Sequence, residues 1–287
     1  MSSRNTSDFI KLFFKGCIMG IAEALPGISG GTIALLVGIY EELISTIGSL
    51  NIKLFKEIGE KGFSSFWNKL NGNFLLAVIS GQLISLITLI TIFNLISENY
   101  IALIWAFFMG LIFATIYIIF KRIRDCNTRD FILIIVSVIM SLLITSVSPN
   151  NPNEISNFYI FSCGLIASSA LILPGISGAT MLILLGVYPN YLSNSLVNFD
   201  IVTIVAFASG AIIGLLGFSR ILKYLFKYFR NTIYSVILGL LVGSIKIGWG
   251  EWNKEFGGEI LNINLFLSIA LLIFGFTLIL FLDKKKK

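Results

Sequence analysis

One short motif occurs twice in this chain, each time inside apolar sequence. Residues 25–44 read LPGISGGTIALLVGIYEELI, and residues 173–192 read LPGISGATMLILLGVYPNYL. Ten of these twenty aligned positions are identical at a shift of 148 residues. Proline and glycine inside apolar sequence break a helix. Each copy therefore predicts two short helices that meet at a non-helical loop, within residues 9–50 and 156–196.

The similarity between the two halves extends beyond this motif. The segment AVISGQLISLI at 77–87 is similar to AFASGAIIGLL at 206–216, now at a shift of 129 residues. A duplicated membrane unit is typical of secondary transporters. The sequence therefore predicts a first repeat at 1–148 and a second repeat at 149–287.

The composition excludes an ordinary soluble domain. The 287 residues are 56% hydrophobic and only 13% charged, whereas a soluble domain has about a quarter charged residues. Histidine is absent, which excludes His-based catalysis and His metal sites. Cys17, Cys126 and Cys163 are too scattered for a disulfide framework or thiolate cluster. We therefore expect a polytopic membrane protein with no metal and no cofactor.

Apolar stretches of about 20 residues predict membrane-spanning helices. The polar linker at 51–72 alternates lysines with apolar residues, which predicts a basic amphipathic segment on the membrane surface. A solvated loop is the alternative. The predicted fold is all-α, with two repeats that each contain a re-entrant helical hairpin and three transmembrane helices. The six predicted spans are 74–96, 100–120, 131–148, 201–219, 232–248 and 264–282.

The positions of the charges predict how the chain is oriented. Three spans per repeat are an odd number, so the second repeat is expected to be inverted relative to the first. Every Lys and Arg except Lys246 and Lys254 then falls on the side of the two termini. Cytoplasmic loops carry the excess of Lys and Arg. Both termini are therefore predicted to be cytoplasmic.

The lengths of the broken segments favour re-entrant hairpins over complete crossings. Lys15 lies about 16 Å before Pro26 along a helix, and Glu41 lies about 18 Å after Ser29. Half of the hydrocarbon thickness is about 15 Å. Charges therefore reappear where each half-helix reaches the surface, and Lys15 is interpreted as an interfacial anchor.

The two loops are candidate anion sites. Non-helical backbone at membrane depth is tolerated where it lines a cavity or is buried in protein. Ser29 and Ser177 are expected N-caps, and the N–H groups that follow them, at the positive end of a helix dipole, suit an anion. Tight packing of the hairpins is the alternative explanation of the motif. The predicted substrate-binding residues are Pro26, Gly27, Ser29, Gly30, Gly31, Thr32, Pro174, Gly175, Ser177, Gly178 and Thr180.

Glu23 is the candidate for proton coupling. It precedes the first break by three residues, which places it near the middle of the membrane. An ionisable group there is costly and is by default a functional candidate. Its counterpart at the 148-residue shift is Leu171, so the two loops are not equivalent. A neutral Glu23 that only stabilises packing is the alternative.

The segment GIAEALPGISGGTIALLVGIYEELI, together with the second LPGISGATMLILLGVY, resembles the DUF368 family of bacterial and archaeal membrane proteins. The resemblance covers nearly the whole chain. It implies a flippase in the bacterial plasma membrane that returns a polyprenyl phosphate to the cytoplasmic leaflet for cell-wall synthesis. The substrate it implies is undecaprenyl phosphate. The partners expected are therefore this lipid and the bilayer, with no nucleic acid.

Two other functions remain open from the sequence. A carrier for a small soluble anion would use the same loops. A polyprenyl-diphosphate phosphatase would need an activated nucleophile or metal and cationic groups, and no Arg lies in a predicted span. We therefore expect a transporter and not an enzyme. Twenty-six glycines suit close helix contacts, which are compatible with a homo-oligomer.

Overall fold

The protein is α-helical throughout the described part of the chain. The computed structural model describes residues 4–23, 29–93, 101–124, 126–146, 155–188, 190–256 and 263–284. These ranges contain no β-strand, which confirms the all-α prediction. The helices are α1 (Thr6–Glu23), α2 (Gly30–Leu36), α3 (Tyr40–Ser49), α4 (Ile52–Leu70), α5 (Gly72–Phe93), α6 (Ile101–Arg122), α7 (Thr128–Ile144), α8 (Asn157–Ile172), α9 (Gly178–Leu184), α10 (Asn190–Val197), α11 (Ile201–Tyr228), α12 (Arg230–Phe256) and α13 (Ile263–Lys284).

Each predicted span overlaps a helix, and residues 94–96, 100, 147 and 148 of these spans lie outside the described residues. Among the described residues, stretches in α5, α6 and α11 are long and apolar enough to cross a membrane. Helix α7 has 17 residues, and α8 and α13 supply shorter apolar stretches. Several apolar helices of this length are typical of a polytopic membrane protein. The count of six spans stays a prediction.

Helix α11 is longer than predicted. The span was expected to end at residue 219, before a basic loop, but the helix continues to Tyr228. Leu222 and Phe226 are buried, so the last turns pack against the protein on one face. The Arg220 guanidinium donates to the Leu50 carbonyl. The basic residues predicted a loop because Leu222 and Phe226 alternate with charged residues there, and the apolar face of the helix was overlooked.

The two broken regions each contain three helices in place of the two predicted. We call α1–α3 the first broken region and α8–α10 the second. Helix α2 ends at Leu36, and α3 turns away from it by 119°. Gly38 and Gly186, related by the 148-residue shift, have φ of 69° and 72°. Glycine adopts this left-handed conformation without steric cost, so a second break follows each motif.

The linker forms helix α4. The Asn51 side chain accepts from Leu54 N–H as an N-cap, and Asn71 ends the helix in the left-handed conformation. Gly62 interrupts the helix with φ of 78°. Phe66 is buried and Ile52 is exposed, so α4 carries apolar side chains on both its packed and exposed faces. Its position on a membrane surface stays a prediction.

The helices divide into two compact units. The first contains α1–α4, most of α5, and α8–α11, and the second contains α6, α7, α12, α13 and Pro174–Ile176. Each unit therefore draws helices from both halves of the sequence. The repeat boundaries at 1–148 and 149–287 stay a prediction.

Residues related by the two sequence shifts make equivalent contacts in the first unit. A Cβ added at Gly16 would lie 2.1 Å from the Val78 carbonyl oxygen, and one added at Gly164 would lie 2.3 Å from that of Phe207. Gly16 and Gly164 are related by 148 residues, and Val78 and Phe207 by 129 residues. Helix α1 therefore packs on α5 as α8 packs on α11.

The second unit also contains close glycine contacts that are related by the sequence repeat. Gly110 of α6 lies against the Leu272 carbonyl of α13, and Gly239 of α12 lies against the Ile134 carbonyl of α7. Gly110 and Gly239 are related by the 129-residue shift. Each pair therefore joins a helix from one half of the sequence to a helix from the other half.

Candidate functional site

The first loop ends in a compact helix start at Ser29. This residue has an extended backbone, its side chain accepts from Gly31 N–H at 3.1 Å, and it is 2% exposed. Gly30, Gly31 and Thr32 begin α2 and are buried. Ser29 is therefore the N-cap that the sequence predicts. Pro26 and Gly27, the other predicted residues of this loop, lie outside the described residues.

The N–H groups at this helix start were expected to be available to an anion in the loop. Two of them are instead bonded to Ser29. Ser29 Oγ takes the Gly31 N–H, and the Ser29 carbonyl takes the Thr32 N–H at 2.9 Å. A serine N-cap satisfies these donors from within the helix, because its side chain and its own carbonyl both face the first turn. An anion would therefore have to compete with Ser29 for them.

Glu23 lies directly beside the start of α2. Its Oε2 accepts a hydrogen bond from Gln82 Nε2 of α5 at 2.5 Å. A Cβ added at Gly30 would lie 2.7 Å from the same oxygen. The absence of a side chain at Gly30 therefore makes room for the carboxylate. Three elements, α1, α2 and α5, meet at Glu23.

The second loop has the same cap but different neighbours. Ser177 is the N-cap of α9, and its side chain lies 3.5 Å from the Thr180 nitrogen, which is long for a hydrogen bond. Gly178 faces the Ala167 carbonyl and the Leu171 Cβ. Leu171 thus occupies the place that Glu23 holds in the first region. The second loop presents an apolar side chain there in place of a carboxylate.

Pro174 and Gly175 precede this cap and belong to the second compact unit. Both are buried. Gly175 has φ of 92°, and a Cβ there would lie 2.8 Å from the Leu240 carbonyl carbon of α12. Gly175 therefore has a backbone packing role in this unit, and Pro174 is buried next to it.

The first loop and the end of α8 are joined by hydrogen bonds that sequence analysis missed. Ser29 Oγ donates to the Leu171 carbonyl at 3.0 Å. The Tyr40 hydroxyl donates to the Ile172 carbonyl at 2.7 Å, and Tyr40 is 1% exposed. Helix ends leave carbonyls without partners, and these donors satisfy two of them. The identity of Tyr40 with Tyr188 in the repeat was the one available signal.

Different side chains donate hydrogen bonds to the carbonyls at the C-terminal ends of α2 and α9. Lys15 Nζ donates to the Val37 carbonyl at 2.9 Å, after the end of α2. The Tyr159 hydroxyl donates to the Leu185 carbonyl at 2.7 Å, after the end of α9. Val37 and Leu185 are related by 148 residues. Lys15 therefore binds a helix end, a role beyond the interfacial anchor that was predicted for it.

Within the described residues, no group of Cys, Asp and Glu side chains is arranged to hold a metal ion. Around the start of α2, the candidate site instead brings together the Glu23 carboxylate, the Gln82 amide, the Ser29 N-cap and glycine backbone. This set of groups binds anions and protons through hydrogen bonds.

Comparison with known proteins assigns the family. The chain matches the family model described as undecaprenyl phosphate translocase-like over residues 19–259. It is 31% identical over 259 residues to the polyprenyl-phosphate transporter of Vibrio cholerae, which covers 88% of this chain and 83% of that protein. It is 30% identical over 291 residues to the polyprenyl-phosphate transporter of Staphylococcus aureus, which covers 94% of each. No solved structure matches the chain. The chain therefore belongs to the undecaprenyl phosphate translocase-like family, which confirms the resemblance to DUF368.

Proposed function

We propose that this protein is a flippase for polyprenyl phosphate, with undecaprenyl phosphate as its substrate. It returns the carrier lipid to the cytoplasmic leaflet of the bacterial plasma membrane for cell-wall synthesis. Family membership and the two named relatives support the lipid substrate. The observation that carries the proposal is the Glu23 carboxylate, which Gln82 holds against Gly30 at the start of α2.

The phosphate binds where the two loops meet the short helices. At the first loop, the headgroup takes the Gly31 N–H after the Ser29 side chain rotates away from it. The missing side chain at Gly30 lets the phosphate approach the backbone. A charged Glu23 would repel the phosphate, so Glu23 takes up a proton as the lipid binds. The substrate-binding residues are the predicted ones, Pro26, Gly27, Ser29, Gly30, Gly31, Thr32, Pro174, Gly175, Ser177, Gly178 and Thr180, with Glu23 as the coupling residue.

The transport unit is an inverted repeat with two re-entrant hairpins and cytoplasmic termini. The equivalent contacts of α1 with α5 and α8 with α11 support a repeated architecture. The position of nearly all cations on one predicted side supports the inversion. Labelling should therefore reach Cys126 and a Lys227→Cys variant from the same face of the membrane. Labelling from opposite faces would contradict the inverted arrangement.

Two alternatives make different demands on this site. A phosphatase needs an activated nucleophile or metal and cationic groups for the transition state. The candidate site offers one carboxylate, one amide and backbone donors, which is a binding set, so we propose that the protein is not an enzyme. A carrier for a soluble anion could use the same set, and the names of the relatives favour the lipid.

A pair of glycine variants tests the site. In Gly30→Ala, the new Cβ meets the end of the flexible Glu23 side chain at 2.7 Å, so the protein should fold while the carboxylate is displaced. Gly217→Ala is the matched control, because a Cβ at Gly217 meets nothing within 4 Å. Both are reconstituted in vesicles, and flipping of a short-chain fluorescent polyprenyl phosphate is measured.

We expect Gly30→Ala to flip the lipid at least about tenfold more slowly than Gly217→Ala, which corresponds to about 1.4 kcal/mol. Equal rates would remove the loop from the proposed mechanism. Uptake of radioactive inorganic phosphate without lipid flipping would replace the proposed function with that of a soluble-anion carrier.

A further inference from the structure

A polar pocket lies at the start of α5, apart from the candidate site. It has a volume of about 370 Å³ and is lined by Arg4, Glu42, Trp67, Asn71 and Asn73, among others. Arg4 donates to both carboxylate oxygens of Glu42, at 2.8 and 2.6 Å. The Asn71 side chain donates to Glu42 at 2.7 Å, and Trp67 donates to the Asn73 side-chain oxygen at 2.7 Å. Arg4, Glu42 and Asn71 are thus joined in one network, and Trp67 and Asn73 form a separate pair that lines the same pocket.

An apolar groove continues from this pocket. Phe9 and Asn73 line both cavities, so the two are adjacent. The groove has a volume of about 450 Å³ and runs between α1 and α5 for about two helical turns, or about 10 Å. The other groove side chains are Thr6, Ile10 and Phe13 from α1 and Leu76, Ala77 and Ser80 from α5.

The pocket and groove lie where an amphiphile of the bilayer would meet them. The apolar stretch of α5 that can cross the membrane begins at Gly72, beside the pocket. The groove follows α5 into this stretch as far as Ser80, next to which Gly81 packs on the Phe13 carbonyl. Ile10 and Leu76 are 52% and 59% exposed at its open side. A headgroup in the pocket would therefore have its chain in the hydrocarbon layer.

The charges of the pocket specify the headgroup. Arg4 and Glu42 are the charged side chains of the lining, and Lys15 lies within electrostatic range of both, so a phosphate is attracted but also meets the Glu42 carboxylate. Arginine has five N–H donors, of which the bonds to Glu42 use two. Trp67 donates to the Asn73 side-chain oxygen, which leaves the Asn73 N–H₂ group as a donor. Asn71 uses an N–H on Glu42, which leaves its oxygen as an acceptor.

We propose that this pocket and groove bind a phospholipid of the surrounding bilayer whose headgroup carries a phosphate and a primary ammonium. The phosphate accepts from Arg4 and Asn73. The ammonium donates to Glu42 and Asn71, which a quaternary ammonium cannot do because it has no N–H. A phosphatidylethanolamine therefore fits better than a phosphatidylcholine or a phosphatidylglycerol. This inference does not depend on the proposed transport function.

The test measures lipid retention by the purified protein. The protein is exchanged from detergent into equimolar mixtures of phosphatidylethanolamine, phosphatidylcholine and phosphatidylglycerol with identical chains, and bound lipids are counted by native mass spectrometry. Leu76→Trp fills the groove, and Ile79→Trp is its control, an exposed α5 residue outside the groove. Glu42→Gln removes the ammonium acceptor charge, and Glu60→Gln on the exposed surface of α4 is its control.

We expect the wild type to retain phosphatidylethanolamine at least about tenfold over the other two lipids, a preference of about 1.4 kcal/mol. Leu76→Trp should lose this retention and Ile79→Trp should keep it, with thermal unfolding midpoints showing that both fold. Glu42→Gln should lose the preference over phosphatidylcholine. Equal retention of all three lipids, or equal loss in both Trp variants, would overturn the proposal.

Two further outcomes would also overturn it. Preferential retention of phosphatidylglycerol would assign lipid binding to the lysines of α4. Displacement of phosphatidylethanolamine by equimolar polyprenyl phosphate would make the pocket part of the substrate path. Because lipid flipping is not the readout, failure here leaves the proposed transport function standing.

Discussion

The two broken regions share a backbone but differ in their side chains. Helices α2 and α9 each have seven residues, start after a serine N-cap and end before a glycine of positive φ. The side chains around this common backbone differ: Glu23 of the first region aligns with Leu171 of the second. Tyr40 is 1% exposed and bonded to the end of α8, whereas the equivalent Tyr188 is 44% exposed.

This comparison separates two kinds of information in the sequence. The motif sets the shape of the loop, because proline, glycine and serine act on the local backbone. The carboxylate and the amide beside the first loop come from outside the motif, from Glu23 and Gln82, and the positions equivalent to them hold Leu171 and Ala211. The first region is therefore expected to carry the proton-linked step, and the second to contribute shape and backbone donors.

The largest effect should follow from making the first region like the second. Glu23→Leu introduces the residue that stands at position 171 and leaves Gln82 without its partner. We expect lipid flipping to fall by about 100-fold, or about 2.7 kcal/mol. The rate is measured in proteoliposomes, with Leu171→Met as the control because it keeps an apolar side chain of similar volume. Unchanged flipping by Glu23→Leu would show that the two regions do not differ in function.

The second comparison concerns the two tyrosines. Tyr40→Phe removes the donor to the Ile172 carbonyl in a buried setting, so the free energy of unfolding should fall by about 1–2 kcal/mol. Tyr188→Phe alters an exposed hydroxyl and should change it by less than about 0.5 kcal/mol. Denaturation in mixed detergent micelles measures both. Equal changes would mean that the asymmetry between the regions has no energetic consequence.

These residues also show what sequence reasoning reaches and what it misses. The motif predicted the breaks and both serine caps, because these depend on local backbone preferences. The length of α11 and the second break in each region were missed, since one depends on the buried face of Leu222 and Phe226 and the other on Gly38 and Gly186.

The partners of the candidate site were harder still to predict. Glu23 was found because an ionisable residue near the membrane centre is unusual. Its contact with Gln82 joins residues 59 positions apart, and the Tyr40 bond spans 132 positions. Such pairs depend on how helices pack, which a single sequence does not encode locally. Binding of polyprenyl phosphate came from resemblance alone.

The third prediction uses pH to separate the regions. If phosphate binding requires a neutral Glu23, proton uptake accompanies binding, and rising pH should weaken it. Neither Gln82 nor Gly30, the described residues that face Glu23, titrates. We expect affinity for a short-chain polyprenyl phosphate to fall about tenfold, or about 1.4 kcal/mol, from pH 5 to 9. Glu23→Gln should keep only the smaller pH dependence that the lipid phosphate contributes through its own second pKa of about 6, and parallel curves for both proteins would assign the titration to a group other than Glu23.

The smallest effect concerns the side chains that close α2 and α9. Lys15→Met keeps the apolar stem but removes the donor to the Val37 carbonyl, and Tyr159→Phe removes the donor to the Leu185 carbonyl. Each should lower the free energy of unfolding by about 0.5–1 kcal/mol, as single hydrogen bonds between membrane helices do. Lys11→Met is the control, because Lys11 is exposed and pairs with the exposed Asp8, and exposed pairs contribute about 0–1 kcal/mol.

A transplant sharpens this last comparison. Tyr159 is equivalent to Lys11 and Cys163 to Lys15 at the 148-residue shift, so Lys11→Tyr with Lys15→Cys gives the first region the closing side chain of the second. If the two helix ends are interchangeable, the double variant should recover most of the stability that Lys15→Cys alone loses, because a tyrosine hydroxyl again reaches the Val37 carbonyl. Denaturation in mixed micelles compares the two variants. A double variant no more stable than Lys15→Cys would mean that a cation is needed at the first helix end, where it also offsets the negative end of the α2 dipole.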